Sequence, residues 1–382
     1  MEYIKLANIV RIIPGYAIPS NCMTGRGTPI IKITNIKADN TLDLQNTVRY
    51  NQPISSKLRK FILKSKDILV CMTGATIGKI ARQIEVGENY IVNQRVAIIR
   101  PENPDDFDYV YYALTTSAFR RYVELVGYGA GQPNISGEAI GDFRLNYDSR
   151  QEKRKTIGGM LSQYDVLIEN NNRRIRILEQ MAENLYKEWF VRFRFPGHET
   201  AEFENGLPKG WNVKKIKNCV KRLPFNRLYK ENELEPSGKI IVIDQSAKEY
   251  LGFHNNEPSH YADFSTPIIL FGDHSCKFKL MCKNFSLGEN VVPFCTCNIS
   301  EINTFFLYYS IHKMISTEEY KRHWGRLVNM KIFIPPLDLQ RSYAEKTVPW
   351  LKLIELLRSK NQNLIKQRDM LLPRLMSGKL EI

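Results

Sequence analysis

Residues 157–189 read IGGMLSQYDVLIENNNRRIRILEQMAENLYKEW. Taking Ile157, Leu161, Tyr164, Ile168, Asn171, Ile175, Leu178, Ala182, Leu185 and Trp189 in turn, the steps alternate four and three. That spacing keeps one stripe of a helix turned toward a partner helix. At 1.5 Å per residue such a helix is about 50 Å long. A second stripe near the end of the chain keeps the same rhythm: Trp350, Ile354, Leu357, Asn361, Leu364, Arg368, Leu371 and Leu375. Each carries an asparagine at mid-length, Asn171 and Asn361, a polar device that costs stability and fixes register. The two helices are expected to pair with each other rather than to lie separately on their own domains.

The stretch before each helix is written twice. Phe143-Arg-Leu-Asn-Tyr-Asp-Ser-Arg-Gln151 corresponds to Ile332-Phe-Ile-Pro-Pro-Leu-Asp-Leu-Gln340, and setting Gln151 on Gln340 puts Asn172 on Asn361 and Met181 on Met370. Further upstream, Ile30–Ile33 resembles Ile240–Ile243, Ile68–Cys71 resembles Ile268–Phe271, and Gly87-Glu-Asn89 matches Gly288-Glu-Asn290. Such self-similarity marks a duplicated module. The expected fold is α+β: two strand-rich globular modules in a pseudo-twofold repeat, separated by two long antiparallel coiled-coil helices. The expected parts are residues 1–150, 151–194, 195–336 and 337–382. Phe195–Gly210, with its Pro, Gly and acidic residues, reads as an exposed connection.

The chain has 382 residues and a formal net charge of +15, with pI near 9.4. The basic excess is spread over all four parts, which suits a long polyanion touching several places. No run of about 18 apolar residues appears, so no membrane span is expected. The N-terminus lacks the layout of a signal peptide. Seven scattered cysteines fit reduced thiols in the cytoplasm better than a disulfide framework.

Three stretches carry a family likeness. Leu207-Pro-Lys-Gly-Trp211 looks like the entry to the second recognition domain of Type I restriction–modification specificity subunits. Asn170–Met181, followed by Leu185-Tyr-Lys-Glu-Trp-Phe190, resembles their central helix. Leu371–Leu380 resembles the end of their C-terminal helix. The likeness covers the whole chain and the order of its parts. It implies two target recognition domains, each reading half of a split double-stranded DNA site, with the paired helices as a ruler. It also implies partners: two copies of an adenine-N6 methyltransferase subunit and an ATP-dependent translocase–endonuclease subunit. The chain itself would be non-catalytic and need no cofactor. The outer helix faces, with Arg173, Arg174, Arg176, Lys187 and Lys366, are expected to hold the methyltransferase subunits.

Candidate DNA contacts follow from loop chemistry. Thr73-Gly-Ala-Thr-Ile-Gly-Lys79 is a small polar turn in which Thr73, Thr76 and Lys79 face a phosphate, or else an ordinary hairpin loop. Tyr128-Gly-Ala-Gly-Gln-Pro-Asn134 offers Tyr128, Gln132 and Asn134, the last two able to pair bidentately with adenine. Asn93, Gln94 and Arg95 interrupt an apolar strand and either reach a groove or make structural hydrogen bonds. Arg26 lies between two glycines. In the second module the first turn is matched by Gly272–Lys277, giving Asp273, His274, Lys277 and nearby Lys279. His323-Trp-Gly-Arg326 takes the place of the Tyr128–Asn134 loop, giving His323 and Arg326.

Signs of catalysis are missing. Thr73–Lys79 has three residues between its glycines and Ile80 after the lysine, which is not a P-loop. The Asn/Asp-Pro-Pro-Tyr signature of adenine methyltransferases is absent, since Leu337 follows Pro335-Pro336. Glu319-Tyr-Lys321 lacks the preceding aspartate of a nuclease core. Cys276, Cys282, Cys295, Cys297 and His274 lack paired zinc knuckles, so no metal is expected. Two alternatives stand beside the DNA-reading function: a protein-interaction scaffold, and an enzyme with an unfamiliar site.

Overall fold

The computed structural model describes residues 2–380 apart from 38, 45–46, 84–86, 128–132, 247 and 317–321. It divides into two compact units, residues 1–171 with 360–382, and residues 172–359.

In the first unit the central sheet has the order Val10–Pro14, Val96–Pro101, Asp67–Cys71, Ile80–Gln83, antiparallel throughout. Its middle strands are apolar without alternation because both faces are covered. Ile68, Val70, Ala97 and Ile99 face the helix-bearing core. Leu69, Cys71, Val96 and Ile98 face a second core under a smaller sheet, as the two-residue period of a strand requires. The smaller sheet runs Met23–Thr24, Val48–Tyr50, Thr28–Ile31, Ile91–Val92, with the last pair parallel. Glu2–Lys5 pairs with Arg144–Tyr147 and leads into the first long helix, Gln151–Tyr186.

The second unit repeats this order. Its central sheet is Val220–Arg222, Val291–Thr296, Ile268–Gly272, Phe278–Met281. Its smaller sheet is Gly252–His254, Ile240–Ile243, Phe285–Leu287, again with a parallel last pair. Asn212–Lys215 pairs with Lys331–Ile334 before the second long helix, Leu337–Met376. The duplication is therefore structural, and the α+β class holds. The Gly-Glu-Asn match is a coincidence: Gly87–Asn89 precedes Ile91–Val92, whereas Gly288–Asn290 joins Phe285–Leu287 to Val291–Thr296.

Each unit contains an antiparallel helix pair. In the first, the Asn171 Nδ2 donates to Asn361 Oδ1 at 2.8 Å, and Arg368 meets Asp165 at 2.5 Å. In the second, Ile175 packs on Ile354 and Leu357, and Arg358 meets Glu179 at 2.9 Å. Every residue of both stripes is buried or half-buried. The second stripe also begins earlier than its apolar residues suggest: Gln340, Tyr343 and Thr347 continue the alternation and are fully buried. After Tyr186 the first helix widens into a π-type turn, Lys187–Val191, which brings both Trp189 and Phe190 inward. The connection at 195–210 is largely exposed, as expected. It contains a hairpin, Phe203–Glu204 with Leu207–Pro208, turned on Asn205-Gly206 at positive φ.

All six histidines lie in the second unit. His254 is buried; its Nδ1 accepts the Asn256 N–H at 3.1 Å, leaving Nε2–H to donate to Ser286 Oγ at 2.9 Å. His260 is buried against Phe285 and donates through Nε2 to the Pro224 carbonyl at 2.8 Å. Burial, with Arg227 near His254, holds both below the usual 6.5. A lowered folded-state pKa means that the unfolded chain takes up protons first as pH falls below 6.5. Stability present above that pH is therefore lost on acidification. The carboxylates held low, Asp148 in the first unit and Glu183, Glu233 and Asp263 in the second, act only further down. Hydrogen exchange at pH 7 and pH 5, corrected for intrinsic rates, should show residues 172–359 losing protection while the histidine-free unit keeps its own. Equal losses in both units would contradict this assignment.

Candidate nucleic-acid interface

In the first unit three segments meet beyond the ends of the central strands. The Met72 N–H donates to the Arg95 carbonyl at 2.9 Å, Gly74 N–H to the Pro133 carbonyl at 2.9 Å, and Ile135 N–H to the Met72 carbonyl at 2.9 Å. The turn 73–79 closes on itself. Gly74 and Gly78 take φ of 70° and 75°, and Gly78 N–H bonds the Cys71 carbonyl at 2.8 Å. Gln94, Arg95 and Asn134 are exposed. Thr76 and Lys79 are half-buried, the Thr76 hydroxyl donating to the Thr73 carbonyl at 3.2 Å.

The remaining candidates of this module divide by position. The Thr73 hydroxyl is buried, and Asn93 is only 8% exposed. Neither side chain faces a groove, because both sit on the inner side of their turns. Arg26 is exposed but lies apart from the cluster. It precedes Thr28–Ile31, whereas Asn93 follows the far end of that strand's parallel partner. Tyr128 and Gln132 fall outside the described residues.

The second unit builds the same meeting point differently. Asp273 N–H donates to the Asn290 carbonyl at 2.9 Å. The Asp273 Oδ1 accepts backbone N–H groups from His323 at 3.0 Å and Trp324 at 2.8 Å, so it caps the short helix Trp324–Asn329. Backbone donors thus occupy Oδ1 and fix the carboxylate, while Oδ2 lies 4.0 Å from Arg322 Nε. His323 is fully buried and cannot reach a base edge. Its stretch also does not replace the Tyr128–Asn134 loop, because Trp324–Asn329 is the counterpart of the short helix Gly137–Asp142, each leading to the strand before a long helix. Lys279 is likewise corrected. Its ammonium donates to the carbonyls of Lys248 at 2.5 Å and Glu249 at 3.4 Å, and burial lowers its pKa. Lys277 and Arg326 are exposed, and His274, half-buried, is held through its backbone N–H by Gln245 Oε1 at 3.1 Å.

The thiols of Cys295 and Cys297 lie against the carbonyls of Lys221 and Asn218, at 3.9 and 3.2 Å. Among the described residues no three His, Cys, Asp or Glu side chains gather as a metal site.

On the helix pairs, Arg173, Arg174, Arg176, Lys187 and Lys366 are exposed. Exposed apolar side chains lie among them. In the first unit these include Val166, Leu167, Ile365 and Met370; in the second, Ile177, Met181 and Leu356. Leu167 and Leu356 stand at repeat-equivalent positions, as do Met181 and Met370.

Residues 1–180 match the family model described as the Type I restriction modification DNA specificity domain. The chain is 25% identical over 346 residues to the Type I restriction enzyme MjaIX specificity subunit of Methanocaldococcus jannaschii, covering 83% of this chain and 78% of that one. It is 22% identical over 361 residues to the MjaVIII specificity subunit of the same organism, covering 85% and 81%. Its fold is similar to the crystal structure of a Type I restriction–modification S subunit from M. genitalium, with a TM-score of 0.59 and 15% identity over 98% of this chain and 96% of that one. Among the described residues no helix is long and apolar enough to cross a membrane.

Proposed function

We propose, from the similarity of residues 1–180 to the Type I restriction modification DNA specificity domain and of most of the chain to Type I specificity subunits, that this chain selects a split, asymmetric double-stranded DNA site for partner enzymes. The observation that carries this is the loop cluster built twice on one strand order with different exposed side chains. Gln94, Arg95 and Asn134 stand in the first module, and Lys277 and Arg326 in the second. Two unlike reading heads in one chain call for two unlike half-sites. Thr76 and Lys79 would contribute on the phosphate side, and the overall charge of +15 supplies sequence-independent attraction. Arg26, Tyr128, Gln132 and His274 remain secondary candidates for contact.

In this reading residues 1–150 and 195–336 are the recognition domains, and residues 151–194 and 337–382 are the spacing helices. The chain carries no chemistry of its own. Two adenine-N6 methyltransferase subunits and the ATP-dependent endonuclease subunits supply methylation and restriction. Binding of DNA by the chain with its methyltransferase partner should be sequence-specific and should weaken steeply with salt. Cleavage or methylation by the purified chain alone would contradict the reading.

The exposed helix side chains suit the methyltransferase contact, since apolar groups among arginines mark partner surfaces. Leu167→Asp and Leu356→Asp are each expected to remove one of two bound methyltransferase copies. Native mass spectrometry would show one copy retained and an unchanged melting temperature. Full stoichiometry in both variants would count against these faces.

A further inference from the structure

The backbone register of the two modules identifies a pair of positions that plain sequence comparison hides. Asn93 N–H bonds the Ile31 carbonyl at 2.9 Å, and Gly288 N–H bonds the Ile243 carbonyl at 2.8 Å. The preceding carbonyls, Val92 and Leu287, accept from Tyr16 at 2.8 Å and Tyr229 at 2.9 Å. Two residues later, the Arg95 and Asn290 carbonyls each accept at 2.9 Å, from Met72 and Asp273. The following residues, Val96 and Val291, pair with the ends of equivalent strands at Cys71 and Gly272. Fixed on both sides with no insertion between, Gln94 is the counterpart of Glu289 and Arg95 of Asn290.

The burial pattern agrees: Asn93 and Gly288 are buried, and the two residues after each are exposed. None of the four exposed side chains makes a hydrogen bond or ion pair among the described residues. Their backbone is held by core strands, so their side chains are presented from a rigid base. Asn290 takes φ of 60°, a conformation that asparagine tolerates.

Resting on the DNA-reading function proposed above, we infer that Gln94-Arg95 and Glu289-Asn290 are matched base-reading pairs, one for each half-site. Their chemistry differs in the way two unlike half-sites require. Arginine pairs with guanine through O6 and N7, glutamine and asparagine with adenine, and glutamate accepts from the cytosine amino group. Glu289 also places a negative charge toward DNA, which suits base recognition and opposes any simple phosphate-binding role.

The test is selection from a library with both half-sites randomised, by the chain assembled with its methyltransferase partner. Arg95→Ala should relax one base pair in one half-site, about ten- to hundredfold. Asn290→Asp keeps the side chain's shape and its tolerance of positive φ, but replaces a donor by an acceptor. It should change preference at a base pair of the other half-site only, by a similar factor. Unchanged selection, changes in the same half-site, or a folded complex that no longer selects either half would overturn the inference. If Asn290→Asp prevents assembly, Glu289→Gln gives the same readout with the same alternatives. A wild-type complex that selects no split sequence would overturn the proposed function itself and this inference with it.

Discussion

Asp165→Ala is expected to destabilise the first unit by about 2–4 kcal/mol, because it removes the carboxylate that two poorly solvated guanidinium groups and a buried tyrosine hydroxyl share, leaving Arg82 only Asp108 and Arg368 only the exposed Asp369. Arg82 approaches Asp165 Oδ2 at 2.9 Å, Arg368 approaches Oδ1 at 2.5 Å, and the Tyr112 hydroxyl donates to Oδ2 at 2.6 Å. The side chains of Arg82, Asp165 and Arg368 are 8%, 17% and 22% exposed, so water screens them poorly. Arg82 is further fixed by Asp108 at 2.8 Å and lies 4.4 Å from the Tyr111 ring centre. This knot ties a sheet strand, a module helix and both long helices together within one unit. Removing the shared carboxylate leaves two cations close to each other. Urea denaturation of the full chain, followed by hydrogen exchange in residues 1–171, measures the loss. Asp369→Ala is the control: Asp369 is 53% exposed and also meets Arg368, yet its removal should cost no more than about 0.5 kcal/mol. A loss under about 1 kcal/mol for Asp165→Ala would show that the network is dispensable.

Tyr343→Ala should weaken the second unit by a comparable amount, about 3–5 kcal/mol, for a different reason. Tyr343 is fully buried, with its ring centre 5.3 Å from Phe190, 5.7 Å from Tyr309 and 6.2 Å from both Tyr186 and Trp189. Its hydroxyl donates to the Ala182 carbonyl at 2.9 Å. Truncation opens a cavity among rings that belong to both long helices and to the helix Thr304–Ile311. Tyr343→Phe removes only the hydroxyl and should cost about 0.5–1.5 kcal/mol. Similar losses for the two variants would indicate that the hydrogen bond, not the ring packing, matters. In the repeat Tyr343 stands where the first unit has Arg154, which is buried beside Asp106 at 2.8 Å and stacks on Tyr147 at 4.1 Å. Equivalent positions are thus filled by an ion pair in one unit and by aromatic packing in the other.

That divergence explains what could be read from the sequence and what could not. The apolar stripes were legible because every stripe residue is buried or half-buried at the helix seam, including the Asn171–Asn361 pair. The corresponding strands, Thr28–Ile31 with Ile240–Ile243 and Asp67–Cys71 with Ile268–Gly272, were legible as apolar runs, but their register was not: Ile31 answers Ile243 and Cys71 answers Gly272, two residues and one residue away from the sequence match. The upstream continuation of the second stripe was not, because Gln340 and Thr347 satisfy their polar groups inside the core. Gln340 donates to the carbonyls of Glu301 and Pro335, partners that no local pattern reveals. The capping role of Asp273 was not legible for a similar reason: the N–H groups that hold it lie fifty residues on. The Gly-Glu-Asn repeat drew attention to a shared turn chemistry and away from the register that makes Asn93–Arg95 the counterpart of Gly288–Asn290.

In the proposed function this chain chooses a DNA sequence for a methyltransferase. Long-read methylome sequencing of a host with and without the gene, its cognate methyltransferase subunit present in both, tests it most directly. The expected result is N6-methyladenine appearing at one split, asymmetric motif only when the gene is present. With partner expression and assembly verified, the same methylation pattern in both strains would contradict the claim and leave the chain as a protein-binding scaffold.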